Sequence, residues 1–151
     1  AVVERGSLRL ARSIAQGGMQ ITNTLERGLG VSNERAELIK REVGLSERIE
    51  EREVVAIIEP FIASLFNEIE RFTTFYNRKY SQKIQKIILT GGASNLKGVV
   101  EYAASRFNIE VTRPNPFSRV TAPPFMQPIL REIGPTFATA IGLALREITG
   151  K

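Results

Sequence analysis

Apolar and polar positions follow two different rhythms along the chain. In residues 7–14, Leu8, Leu10 and Ile14 alternate with Arg9 and Arg12, a two-residue period that predicts a strand with one buried and one wet face. Ala1 to Val3 predicts its hairpin partner across Arg5-Gly6, and Gly17-Gly18 closes the second strand. The period then lengthens. Met19, Ile21, Leu25 and Leu29 recur at helical spacing, and Gly28 and Gly30 end that helix. Ser32 is a good N-cap for the next one, although Arg35 stands where a capping-box Glu would be. Ala36, Ile39 and Val43 form its apolar line, Glu37, Lys40 and Arg41 lie one turn apart, and Gly44 ends it. Leu45 to Arg52 is a charged connection. From Glu53 onward Val54, Ile58, Phe61, Ile62, Leu65, Ile69, Phe72 and Tyr76 make one long stripe, the mark of a core-facing helix. Pro60 falls inside it and predicts a kink or a late start.

The stretch from Lys83 to Thr90 breaks both rhythms. Ile87, Ile88 and Leu89 are apolar without interruption, which predicts a strand covered on both faces. Gly91 and Gly92 follow; lacking Cβ atoms, they allow a sharp turn and let a flat ligand lie against bare peptide. Ser94 or Asn95 can cap a helix over 96–107, with Val99, Val100, Ala103 and Phe107 inward. Ile109 to Val111 predicts a second short strand, completing a βαβ unit with a right-handed crossover. Strand, glycine pair and helix N-terminus together place a candidate site at the carboxyl end of a sheet, where α/β folds put ligands. A purely structural turn remains the alternative for a glycine pair taken alone.

Arg113 to Pro128 holds Pro114, Pro116, Pro123, Pro124 and Pro128, with Phe117 and Phe125 among them. Proline at that density predicts a long loop, either functional or pinned to the surface by its two rings. Pro135 then predicts a helix start. Phe137, Ala138, Ala140, Ile141, Leu143, Ala144 and Ile148 make that helix apolar almost all round, so it is expected to be buried. The fold class is α/β, with a helical insertion between Gly18 and Ser81.

Composition narrows the chemistry. The 151 residues fit one domain with its own core. No Cys and no His are present, which excludes disulfides, thiolate metal sites and imidazole acid–base catalysis. The net charge of +5 comes from scattered Lys and Arg, most with a Glu close by. That is a solvated surface; nucleic acid is not an expected partner. No apolar run reaches the roughly 20 residues that cross a bilayer. No secretory signal is visible, and an intracellular location is the default. The start at Ala1 lacks Met and reads as the middle of a hairpin, so the chain is expected to be a cut piece of a longer one.

Four motifs in order carry a resemblance. Leu89 to Gly98, Leu-Thr-Gly-Gly-Ala-Ser-Asn-Leu-Lys-Gly, resembles the adenosine motif of the actin-like ATPase superfamily. Ile133 to Glu147 resembles the last helix of the PilM family of type IV pilus assembly proteins within it. Asn115 to Val120 is similar to that family's Asn-Pro-Phe stretch, and Ser13 to Thr22 to its strand-to-helix entry. The cell-division relative FtsA shares the glycine motif but fits the closing helix less well. The resemblance implies an actin-like, ribonuclease H-like domain II, truncated at its N-terminus. Residues 1–17 and 82–151 would be an incomplete subdomain IIA, and residues 18–81 the mainly helical subdomain IIB.

It also implies a ligand, ATP with Mg²⁺ in the intact protein. Gly91, Gly92, Ala93 and Ser94 would lie against the adenosine, while Glu37 and Lys40 would meet ribose and base from subdomain IIB. A carboxylate accepts from ribose hydroxyls, and a Lys stem can cover a purine; an exposed helix pair of little consequence is the plain alternative. The phosphate hairpin and the Mg²⁺ carboxylates are not recognisable here, so this chain alone is expected to bind ATP weakly or not at all and to hydrolyse none. The implied whole is a cytoplasmic scaffold, at most a slow ATPase, held at the inner membrane by the PilN tail through its other domain and coupled to pilus motor ATPases. A protein-interaction module using the proline-rich loop and an FtsA-like filament protein are the alternatives. Self-association is expected, because an incomplete sheet exposes its edges.

Overall fold

The computed structural model describes residues 1–149, a mixed α/β arrangement that is mostly helical. β1 (Val2–Glu4) and β2 (Ser7–Leu10) form an antiparallel hairpin. Its turn has positive φ at both Arg5 (49°) and Gly6 (77°), the twist that suits a two-residue hairpin. β2 stops at Leu10, short of the expected Ile14. Leu8 and Val3 are exposed while Val2 is buried, so Leu8 does not face a core as its alternation predicted.

Three helices follow: α1 (Gly18–Leu29), α2 (Asn33–Val43) and α3 (Arg52–Tyr80). Their ends are set by the residues the pattern singled out. Gln20 Oε1 accepts from the Gly17 N–H at 3.1 Å at the start of α1, and Gly30 closes it in the left-handed region. Ser32 Oγ accepts from the Arg35 N–H, and Gly44 closes α2 at φ 56°. α3 begins at Arg52 after a 3₁₀ turn and runs through Pro60, which sits on its exposed face, so there is no late start.

β3 (Lys86–Ile88), α4 (Val99–Phe107) and β4 (Glu110–Thr112) form the expected parallel βαβ unit, with Ile87 opposite Val111. β3 is not covered on both faces: Ile87 is half-buried and Ile88 is 57 % exposed. Among the described residues β3 pairs with β4 alone, and the β1–β2 hairpin is a separate sheet.

α5 (Gln127–Thr149) begins before the expected start, and Pro135 lies inside it. The loop before it folds into two 3₁₀ turns, Pro116–Arg119 and Pro124–Met126. α5 is not buried all round. Leu130 and Pro135 are buried, but Ile129, Phe137 and Leu143 face solvent; Ile148 lies outside the residues whose side chains are described.

The core is one cluster shared by four helices. Ile21 and Leu25 of α1, Ala36 of α2, Ile58, Ile62 and Phe66 of α3, and Val99 and Ala103 of α4 pack together with Leu96. Phe66 meets Tyr102 edge-on at 5.6 Å and Phe107 at 5.7 Å. This cluster ties the helical segment to the helix that follows the glycine pair.

Candidate functional site: a bare glycine turn and a half-buried ion pair

Backbone geometry shapes the turn after β3. Leu89 N–H continues the parallel ladder to Thr112 O at 2.9 Å. Gly91 then adopts φ 87°, a conformation that favours glycine, and Gly92 opens a 3₁₀ turn to Asn95. A Cβ placed on either glycine would meet no atom within 4 Å. Gly92 is exposed and Gly91 half-buried, so a strip of uncovered peptide faces open space at the carboxyl end of β3.

Contacts behind the strip hold it still. Gly91 N–H donates to Pro135 O at 2.7 Å, and Thr90 Oγ1 donates to the same carbonyl at 3.3 Å. Ser94 is buried and donates from Oγ to Gly91 O at 2.7 Å. It therefore braces the turn from inside instead of capping α4, whose N-cap is Gly98. Asn95 is likewise used locally: its amide donates to Thr136 Oγ1 and its Oδ1 accepts from Arg113 at 3.2 Å. Ala93 is exposed beside Gly92.

The second predicted group sits on α2. Glu37 Oε2 accepts from Lys40 Nζ and, at 2.6 Å, from Thr22 Oγ1; Oε1 accepts from Arg41 Nε at 2.9 Å. Lys40 Nζ also donates to Thr22 Oγ1 at 2.8 Å and to Gly18 O at 3.3 Å. Burial by itself would push the Glu37 carboxyl up. The hydrogen bonds from Lys40, Thr22 and Arg41, with the charge of Lys40, outweigh burial and hold it at about 2. Glu37 is thus an anion with its lone pairs largely engaged, and the ammonium of Lys40 is committed to α1. What Lys40 can offer a ligand is its stem.

The structure brings Glu37 together with Lys40, and Gly91 together with Ser94. No hydrogen bond or ion pair among the described residues joins one group directly to the other. They are linked through the chain that follows each: Leu45 N–H, just past α2, donates to Lys97 O, just before α4, at 2.8 Å. Three participants were invisible in the sequence pattern. Thr22 is fully buried, yet it sits among apolar positions of α1 with nothing to mark its partner. Pro135 contributes a carbonyl, which no side-chain pattern reports. Asn115 Oδ1 accepts from the Phe117 N–H at 3.1 Å, and a Cβ on Gly134 would lie 3.1 Å from that oxygen, so the Asn-Pro-Phe stretch packs on α5.

The turn suits a flat, uncharged ring lying on peptide. Among the described residues no three His, Cys, Asp or Glu side chains gather into a metal site. Among these residues also, no helix is long and apolar enough to cross a membrane.

Residues 1–148 match the protein family described as "Type IV pilus assembly protein PilM". Among solved structures, the "PilM-PilN type IV pilus biogenesis complex" matches with a TM-score of 0.78 and 29% identity over 94% of this chain. The chain spans 40% of the length of that solved chain. No curated protein matches. With nearly every residue inside the family match, and four motifs of that family in order along the sequence, this chain belongs to the PilM family of type IV pilus assembly proteins.

Proposed function

We propose that this chain is the C-terminal portion of an actin-like, ATP-binding scaffold of the type IV pilus machinery, and that it supplies the adenosine side of the nucleotide site. Residues 1–17 and 82–151 act as subdomain IIA and residues 18–81 as subdomain IIB. The observation that carries the reading is the uncovered strip at Gly91 and Gly92, fixed from behind by Pro135 and Ser94 and open in front. A flat purine face can approach closely where the peptide carries no side chain. The stem of Lys40 and the outer edge of the Glu37 carboxylate complete the grip from α2. When bound, ATP with Mg²⁺ brings phosphate charge that this chain's residues do not neutralise, so phosphate contacts belong to other parts of the intact protein. PilN is a partner of that whole, met outside this chain, the motor ATPases are further partners of the whole, and the scaffold sits at the inner membrane through its partners.

The open space around Gly92 makes the test clean, because a side chain there disturbs nothing nearby. In the intact protein, Gly92→Val leaves the melting temperature unchanged and weakens ATP·Mg binding at least tenfold by calorimetry. Affinity equal to the parent's would overturn the adenosine reading; micromolar binding by this chain in isolation would overturn the placing of the phosphate contacts elsewhere.

A further inference from the structure

We propose that Gly44 and Gly98 are positioning residues, forming a backbone joint that sets the gap between the Glu37–Lys40 pair and the Gly91–Gly92 strip. The inference rests on the nucleotide reading above and adds what holds the two sides of the grip at a working distance. Gly44 lies one turn beyond Lys40, whose carbonyl accepts the Gly44 N–H at 3.1 Å. Gly98 ends the loop that begins at Gly91 and caps α4. At the joint the two backbones touch. A Cβ on Gly44 would stand 2.6 Å from Lys97 O and 2.8 Å from Lys97 N. A Cβ on Gly98 would stand 2.7 Å from Leu45 O. All three of those atoms are backbone, which cannot swing aside. Both glycines also hold positive φ, 56° and 78°, where a side chain is strained whatever the space.

One hydrogen bond, Leu45 N–H to Lys97 O at 2.8 Å, crosses the joint. The carbonyl end of α2 there faces the amide end of α4, an arrangement their opposite dipoles favour. Two features argue against a mere packing accident. Each element carries half of the proposed grip within a few residues of the contact. The joint is also the one backbone hydrogen bond between the α2–α3 connection and the loop before α4 among the described residues. Widening it by the width of a methyl group therefore moves one half of the grip away from the other.

The test uses the intact protein carrying this chain. This chain holds no cysteine, so nitroxide labels at Glu42→Cys in α2 and Ser105→Cys in α4 report the gap once any cysteine elsewhere is replaced by serine. Gly44→Ala and Gly98→Ala are each expected to shift or broaden the label distance and to weaken binding of a fluorescent ATP analogue at least tenfold. Ile58→Ala is the control for a structural role. It removes a fully buried side chain from the helical core, so it lowers stability but changes neither the distance nor the affinity. If the alanine variants do not fold, an amide-to-ester replacement at Leu45, which deletes the crossing N–H and adds no bulk, decides the matter with a smaller loss of the same sign. Folded joint variants that bind like the parent, or keep its label distance, overturn the inference. A parent that binds no adenine nucleotide overturns the nucleotide reading itself, and this inference with it.

Discussion

Around Leu25 and Ile58, side chains from α1, α2, α3 and α4 close over one another until neither residue is exposed at all. Around β3 and α5 the chain does the reverse, and Ile88, Ile129, Phe137 and Leu143 stand in solvent. The two regions have similar apolar content along the sequence, yet one packs against itself and the other against little. In the helical region the apolar faces of consecutive elements meet each other, so burial is completed locally. In the strand region β3 pairs, among the described residues, with β4 alone, and α5 braces the glycine turn from behind through the Pro135 carbonyl while Ile129, Phe137 and Leu143 are left open. The region that keeps its residues uncovered is also the region that carries the glycine strip.

The contrast can be broken most forcefully in the core. Ile58→Ala removes a fully buried side chain from the four-helix cluster and is expected to cost about 2–5 kcal/mol, read from urea denaturation. A cost below about 1 kcal/mol would mean that the helical region is no better packed than the strand region.

A smaller effect is expected at the ion pair. Glu37 is partly exposed, so Glu37→Gln is expected to cost about 1 kcal/mol at neutral pH. The sign with pH follows from the carboxyl being held at about 2 in the fold, against about 4.3 for an unfolded glutamate. Its contribution is complete above about pH 4.3 and is lost as pH falls toward 2. The stability difference between parent and variant should therefore shrink across that window. A difference that stays constant down to about pH 2 would show that the Lys40 and Thr22 contacts do not hold the carboxylate.

The smallest effect belongs to the open side. Phe125, 79 % exposed at the second turn of the proline-rich loop, is expected to change stability by less than about 0.5 kcal/mol when replaced by Ser. Solubility should rise at the same time. A loss above about 1 kcal/mol would mean that the loop is held by this ring as firmly as by Phe117, which packs on Phe137 at 6.1 Å.

α1, α2 and α3 were legible from a 3.6-residue apolar period, and at α2 a cap residue agrees with it at both ends, Ser32 and Gly44. β3 and β4 were legible as a pair flanking a helix, though β3 covers only Lys86–Ile88 of the expected 83–90 and β4 lies one residue on. α5 was not. Pro135 imitates a helix start, because proline lacks the N–H that an interior position needs. The helix nevertheless runs through it, and the Pro135 carbonyl accepts from Thr90 and Gly91 of a distant turn. Those contacts help to offset the missing helical bond, and they are written nowhere near residue 135. For the candidate site, the glycine pair and the Glu37–Lys40 spacing were visible, but Thr22, which bridges that ion pair, was not.

The sequence by itself determined where the first four helices run, where glycine ends two of them, and that a bare turn follows a strand. These are properties of a residue and its near neighbours. Only the tertiary structure decided that Ile88 and Leu143 stay in solvent, that Lys40 spends its charge on α1, and that Gly44 and Gly98 meet backbone to backbone. Each of those depends on which element lies against which, and a periodic pattern records the face a segment buries without recording what covers it.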